Sequence, residues 1–478
     1  MAVNADELAA RFRGAGQGHV FRFLDELSHT QREALLGQLA AIDLDQLRGW
    51  IRDYVKSKPT AGIAADVRPA PYYARGGGTG SGSWDAAAYR ARGEGLVHGG
   101  KVAAFTVAGG QGSRLGFEGP KGCYPGGGVT GKPLFACLAE WILAAQRRWC
   151  GRGRVIPWYI MTSPINHAAT IAFFREHGFF GMRDTDVMFF PQGVVPSLEI
   201  GTGRLLLSGK GEIAVNPDGH GGSLRALAAS GAIADMRRRG VEHLSYTQID
   251  NPLVRVIDPV FLGLHAFAPD SSAEMSSKMI PKAYAGEKVG VFCEVAGRTS
   301  IVEYSDLPTR LLEELLPDGR LRFVAGSPAI HVLGVSFVER LNSGGQFRMP
   351  WHRAEKKIPC IDPDTGTWIE PVSPNGVKLE AFVFDALPLC ERSIVLETDR
   401  VDEFAPIKNA DGVDSPASCR ELQTERAARW LERSGNRVPR RSDGKPDAVL
   451  ELSPLRALDP EDLRGAGIEV RPGERRAF

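Results

Sequence analysis

The sequence predicts an α/β fold, a mostly parallel sheet covered by helices, and three observations predict it. Between residue 99 and about residue 399, apolar runs of strand length alternate with longer runs of helical period, the pattern of strands joined by crossover helices. A glycine-rich, doubly basic loop follows the first of those apolar runs, and open α/β sheets hold ligands outside the carboxyl ends of their strands. A second glycine cluster, NPDGHGG at residues 216–222, stands directly before a helical run, where free N–H groups are available.

The elements follow in order. Residues 5–57 read as helices, since apolar residues in HVFRFLDEL and TQREALLGQLAAI recur at three and four; Ser28 or Thr30 is placed to cap the second. Residues 67–73, with Pro69 and Pro71, and GGGTGSGS at 76–83 read as a mobile linker. A short helix, 84–95, enters the main domain. There the pattern predicts a strand at 102–107, a helix at 133–149, a strand at 156–161, a helix at 168–177 and a strand at 186–190. A long helix at 223–239 and a strand at 243–249 ending at Asp250 follow, and residues 290–305 add strands beside the sheet. Beyond about residue 404 the chain is charged and PRRSDGKPDA is loop-like. Three parts are therefore expected: a helical region with its linker (1–95), a central α/β domain (96–403) and a small C-terminal domain (404–478).

Composition narrows the function classes. The 478 residues carry 58 Lys and Arg against 57 Asp and Glu, a net charge of +1, without the excess that nucleic-acid binding requires. Seven scattered cysteines with no CxxC pair point to a reducing compartment, with neither a disulfide frame nor a zinc site. MAVNADELAARF has no apolar signal core, and no run approaches membrane-span length. A cytoplasmic protein without nucleic-acid or membrane partners, monomeric or weakly self-associating, is expected.

The loop VAGGQGSRLGFEGPK, residues 107–121, carries the strongest chemical signal. Glycines bring backbone N–H groups close to a ligand, and successive N–H groups make an anion-binding concavity. Val107, Ala108, Gly109 and Gly110 leave the strand, and Arg114 and Lys121 add two positive charges, so the loop is built to hold a polyphosphate. Two better-known loops fail here. Leu115 stands where a dinucleotide fingerprint needs its third glycine, and the Walker-like run from Gly126 to Lys132 ends in Pro133 instead of a hydroxyl. Cys123, beside Lys121, is either a thiol of lowered pKa or an inert one.

Other candidates have two readings each. Gly219, His220 and Gly221 offer a backbone that can approach a base or sugar, or else a glycine turn capping a helix. Asp250, at a strand's carboxyl end, suits Mg²⁺ held jointly with phosphate oxygens, or caps the Asn251-Pro252 turn. Glu303 and Tyr304 end the run SIVEY, where a carboxylate accepts from sugar hydroxyls or simply faces solvent. Lys378 and Lys408 are either ligand cations or solvated side chains.

Taken in this order, these residues resemble the eukaryotic-type UDP-sugar pyrophosphorylase family, in particular its UDP-N-acetylglucosamine pyrophosphorylases. The likeness runs through AGQGHVFRFLDEL, AGGQGSRLG, PKG, PDGHGG with LRALAASG, QIDNPLVRVIDP, VEYSD, EKKIP, PNGVKLEAFVFD, PIKNADG and ELSPL. It implies a Rossmann-like (GT-A-like) nucleotidyltransferase domain with a mixed sheet, a helical N-terminal region and a small C-terminal domain. It also implies UTP contacts at Val107, Ala108, Gly109, Gly110, Lys121, Gln192, Gly219, Asp250 and Lys378, with Arg114 facing the phosphates and Mg²⁺ on Asp250. Sugar-phosphate contacts are implied at His220, with Gly221 beside it, Glu303, Tyr304 and Lys408. His220 stands where the N-acetylglucosamine enzymes usually carry Asn, and Ser327 where a sugar-binding Asn is expected. The implied reaction joins UTP to a sugar 1-phosphate, N-acetylglucosamine 1-phosphate first and glucose or galactose 1-phosphate as the alternative, releasing pyrophosphate. Arg114, Lys121 and Lys408 are the implied catalytic cations. A non-catalytic UDP-sugar-binding protein and a nicotinamide-dependent oxidoreductase are the readings from other classes.

Overall fold

The computed structural model describes residues 5–57, 66–78, 82–345 and 347–478. They fall into two compact units assembled from separate stretches of chain. The three parts expected from the sequence, by contrast, are contiguous.

The larger unit, drawn from residues 63–192, 223–348 and 384–478, is built on an eleven-stranded sheet. Its strands are β1 (Val67–Pro69), β2 (Val102–Val107), β3 (Trp158–Thr162), β4 (Val187–Pro191), β5 (His243–Gln248), β6 (Met275–Pro281), β7 (Val291–Val295), β8 (Arg298–Val302), β9 (Ala325–Gly326), β10 (His331–Gly334) and β11 (Val395–Glu397). The order is β1-β7-β9-β6-β10-β5-β2-β3-β4, with β8 beside β7 and β11 beside β6. β5, β2, β3 and β4 run parallel, and β10, β9, β7 and β8 bring in antiparallel pairs. The sheet is thus mixed, and the mostly parallel sheet expected from alternation holds for one half only. β1 lies within the stretch read as a linker and pairs with β7 at the sheet's edge, where Pro69, lacking an N–H, is tolerated. Residues 79–81 of the Gly/Ser-rich run lie outside the described residues.

Burial explains the parallel half. In β2, Val102 to Thr106 are all buried, as a strand covered on both faces demands. The helix Leu134–Trp149 buries Leu134, Phe135, Leu138, Trp141, Ile142 and Ala145 at helical spacing. The expected long helix over 223–239 is two, Gly222–Ala229 and Ala232–Arg239, parted at Ser230 and Gly231, the latter at φ +82°. The basic run at its end is paired: Arg237 with Glu339, Arg238 and Arg239 with Asp235. The C-terminal stretch adds the helix Pro416–Arg433 and the parallel strands Ala448–Glu451 and Glu474–Ala477 around Trp430, Leu431, Leu450 and Leu463.

The smaller unit joins the chain's first 62 residues with 193–222 and 349–383. Helices Ala5–Gly14, His29–Ala40 and Leu44–Trp50 bury Leu8, Phe12, Leu35, Leu39 and Leu47 against Val195, Leu198, Val377 and Leu379. Ser28, with Gln31, caps the second helix in a reciprocal box. Leu198–Glu199, Gly376–Glu380 and His352–Lys356 form an antiparallel sheet.

Candidate functional site

Parallel pairing carries the carboxyl ends of β2, β3, β4 and β5 to one edge, since Gln248 lies beside Val107, Val107 beside Met161, and Met161 beside Phe190. Ala108–Gly110, Gln192 and Asp250 therefore emerge together. A Cβ at Gly109 would sit 2.6 Å from Gln192 Oε1, so only glycine lets that amide lie against the loop. The Gln192 N–H donates to the Thr162 carbonyl at 2.7 Å. Asn166, absent from the sequence-based candidates, pins the loop from beneath: Nδ2 donates to the carbonyls of Ala108 (3.1 Å) and Gly110 (3.2 Å). It sits just past the end of β3, a position that marks ligand edges in such sheets.

The loop then folds back on itself. The Lys121 N–H donates to the Gly110 carbonyl at 3.0 Å, and Gly112 N–H to Gly119 at 3.0 Å. This return brings Lys121 Nζ to 3.5 Å from Asp250 Oδ2, with the two side chains only 16% and 13% exposed. Arg114 lies in the short turn Ser113–Leu115 of the same loop and is exposed. Burial pushes the Cys123 thiol up to about 12, so the low-pKa reading is overturned: desolvation dominates there.

Asp250 also connects to Lys408. The Ile407 N–H donates to the Asp250 carbonyl at 2.9 Å. Lys408 Nζ lies 3.4 Å from Asp414 Oδ2 and 5.5 Å from the Phe404 ring centroid.

The antiparallel half meets the same edge. β6 runs parallel to β5 through β10, and Ile280 at its carboxyl end pairs with Gly326, which pairs with Val291, which pairs with Val302. The residues that follow Gly326 and Val302 in the chain are Ser327 and Glu303, then Tyr304; the Ser327 N–H donates to the Gly290 carbonyl at 2.8 Å. Lys282, not singled out from the sequence, is buried beside them and donates to the Ala285 carbonyl at 2.7 Å. Burial lowers its pKa.

The smaller unit carries the other candidates. Gly219, at φ +82°, and Gly221 press on residues 381–382: a Cβ would meet Ala381 O at 2.4 Å or Phe382 N at 2.7 Å. The Gly221 N–H donates to the Ala381 carbonyl at 2.8 Å. His220 stacks on Phe382 (5.2 Å, 19°), which stacks on His352 (4.3 Å, 28°). Its Nδ1 accepts from the Val383 N–H at 3.2 Å, so neutral His220 carries its proton on Nε2. Lys378 pairs with Glu380 at 2.7 Å.

The Walker-like run is occupied from within. The Glu451 carboxylate accepts from the Val129 and Thr130 N–H groups at 2.8 Å and from Thr130 Oγ1, and Lys132 Nζ lies 3.1 Å from it. Gln423 accepts from the Gly128 N–H and donates to the Gly126 carbonyl. Burial works against the Glu451 charge, but these amides and Lys132 outweigh it and hold the carboxyl below its ordinary value.

No group of three His, Cys, Asp or Glu side chains that would cage a metal occurs among the described residues. A single carboxylate fits a hard cation that arrives with phosphate oxygens, and Asp250 is such a donor beside the loop. No helix among the described residues is long and apolar enough to cross a membrane.

Similarity to known proteins extends beyond this edge. A family model described as UTP–glucose-1-phosphate uridylyltransferase matches residues 90–428. A Xenopus tropicalis protein named UDP-N-acetylhexosamine pyrophosphorylase-like protein 1 is 35% identical, over 95% of this chain and 92% of its own. The UDP-N-acetylglucosamine pyrophosphorylase of Saccharomyces cerevisiae is 34% identical over 95% of each. Among solved structures, the uridine diphosphate N-acetylglucosamine pyrophosphorylase of Trypanosoma brucei superposes with a TM-score of 0.78 at 29% identity, over 96% of this chain and 94% of that one. A shared fold alone does not require a third of the residues to agree along nearly the whole length, and the chain belongs to the UTP–glucose-1-phosphate uridylyltransferase family.

Proposed function

We propose that this protein is a uridylyltransferase that forms a UDP-sugar and pyrophosphate from UTP and a sugar 1-phosphate, with N-acetylglucosamine 1-phosphate as the preferred substrate. The observation that carries the reading is Lys121 set 3.5 Å from Asp250, at the sheet edge where the glycine loop and Gln192 emerge. Relatives named for N-acetylated sugars support the choice of sugar.

A phosphate oxygen of the sugar 1-phosphate attacks the α-phosphorus of UTP. The bond from that phosphorus to the oxygen bridging it to the β-phosphorus breaks, and pyrophosphate departs in line. The attacking oxygen is already anionic, so no base is needed; orientation and charge stabilisation do the catalysis. Lys121 and Arg114 stabilise the triphosphate and the leaving pyrophosphate. Lys408, fixed through Ile407 to Asp250, holds the sugar phosphate for attack. In the larger unit Gln192 reads the uracil; in the smaller unit the Gly219 backbone and Lys378 are the UTP contacts. On the sugar side the larger unit supplies Glu303, Tyr304 and Ser327, and the smaller unit supplies His220 with Nε2–H as donor. Asp250 is the ligand for Mg²⁺, which when bound neutralises phosphate charge as a Lewis acid.

Glucose 1-phosphate is the second reading, favoured by His220 and Ser327 where Asn is expected. Initial rates of pyrophosphate release with UTP and a panel of N-acetylglucosamine, N-acetylgalactosamine, glucose and galactose 1-phosphates test both. A clear preference for the N-acetylated pair is expected; preference for glucose 1-phosphate would replace the first reading by the second, and no release with any of them would refute both.

A further inference from the structure

One buried amide stitches the segment beginning at Asp250 to the segment ending at Lys408. Asn251 is 4% exposed. Its Nδ2 donates to the Glu403 carbonyl at 2.6 Å, and its Oδ1 accepts from the Ala405 N–H at 3.0 Å and the Leu253 N–H at 3.3 Å. The last bond is all that an Asn-Pro turn needs. The other two reach 152 and 154 residues along the chain. Beside this stitch, the Asp250 carbonyl takes the Ile407 N–H.

Glu403 is itself held without freedom. Its side chain is 2% exposed, both carboxylate oxygens accept from Lys278 Nζ at 2.7 Å, and one accepts from Thr398 Oγ1 at 2.5 Å. Lys278, 1% exposed, also reaches Asp258 at 2.5 Å. Ions this deeply desolvated persist only in a geometry that satisfies each of them. The cluster therefore fixes the Glu403 backbone that Asn251 grips, and through it the start of the Glu403-to-Lys408 segment.

We infer that Asn251 is a positioning residue of the transfer reaction: its amide, anchored through Glu403 to the Lys278 cluster, sets Lys408 at its working distance from Asp250. The inference rests on the roles of Asp250 and Lys408 proposed above. Two groups acting on reactants need placement to within an ångström, and misplacement by that much costs on the order of 10²-fold in rate.

The test is a double-mutant cycle on pyrophosphate release from UTP and the best sugar 1-phosphate of the panel. Asn251→Asp keeps the shape and the acceptor but loses the donor to Glu403. It is expected to lower kcat by about 10–10²-fold, to raise KM for the sugar 1-phosphate and to leave KM for UTP unchanged. In a Lys408→Ala background the same substitution is expected to cost less than about threefold more, because groups acting as a unit are not additive. Thr398→Val, which removes one bond to Glu403 and is nearly isosteric, is expected to show a smaller loss with the same non-additivity, and it decides the matter should Asn251→Asp not fold. Losses that multiply fully in the double variants, or wild-type kcat in both single ones, overturn the inference alone. Wild-type turnover by Lys408→Ala overturns the reading of Lys408 and the inference with it.

Discussion

Lys121→Ala separates a catalytic cation from a structural one. Coulomb's law at 3.5 Å, with an effective dielectric of about 20, gives roughly 5 kcal/mol of attraction between Lys121 and Asp250 before desolvation is subtracted. Removing Lys121 leaves the Asp250 carboxylate mostly buried without that cation, at a stability cost of about 1–3 kcal/mol. The rate effect has another source. Loss of one preorganised donor aimed at developing charge lowers kcat by about 10²–10³-fold, or about 3–4 kcal/mol. Lys121→Ala combined with Asp250→Ala should therefore recover stability in urea unfolding without recovering kcat in a pyrophosphate-release assay. Lys121→Arg, which keeps the charge on a differently shaped head, should recover part of the rate. A Lys121→Ala enzyme turning over within about threefold of wild type, far from that expected loss, would refute the role.

Asp250→Asn should move the midpoint of a Mg²⁺ activity titration to higher concentration, and an unchanged midpoint removes Asp250 as the cation's ligand. Ser327→Asn together with His220→Asn should raise kcat/KM for N-acetylated sugar 1-phosphates relative to glucose 1-phosphate; an unchanged ratio takes both residues off the sugar. Glu451→Gln should cost about 1–3 kcal/mol in urea unfolding at neutral pH, as loss of charge-assisted hydrogen bonds does. Because the folded-state pKa of Glu451 is depressed, its contribution is complete above 4.5 and disappears as pH falls through the folded value. Wild type and Glu451→Gln should converge in stability below pH 4.5, and a gap that stays constant there would count against it.

The sequence is most legible where local pattern and environment agree. Val102–Val107 forms as expected because an all-apolar run, flanked by glycines, becomes a strand covered on both faces. The helix Leu134–Trp149 begins one residue after the expected start, its apolar stripe leaving no alternative face. Legibility fails where distant pairing decides. Ala325–Gly326 is two residues long, too short to carry a pattern, and exists through its partners Ile280 and Val291. Gly231, tolerable on periodicity alone, parts a helix because it takes a left-handed backbone conformation at φ +82°. The first helices were readable as amphipathic, but their partners Val195, Leu198, Val377 and Leu379 come from far along the chain. At the candidate site, the glycine loop, Lys121 and Asp250 announce themselves by residue type. Asn166 and Asn251 do not: each works by bonding backbone atoms, and no spacing rule records which carbonyl an amide will find.

The filled cradle at Val129 and Thr130 has a consequence for how the molecule tolerates shortening. Its peptide donors are satisfied by a carboxylate supplied more than 300 positions downstream, and Lys132 is shared between that carboxylate and Glu140. Trimming the chain before Glu451 would take the acceptor from the Val129 and Thr130 N–H groups while Lys132 kept Glu140, and inorganic anions would compete for the vacancy. The strand Ala448–Glu451 is a stopper for that loop, and a truncated protein should become sensitive to sulfate or phosphate in its buffer where the intact one is indifferent.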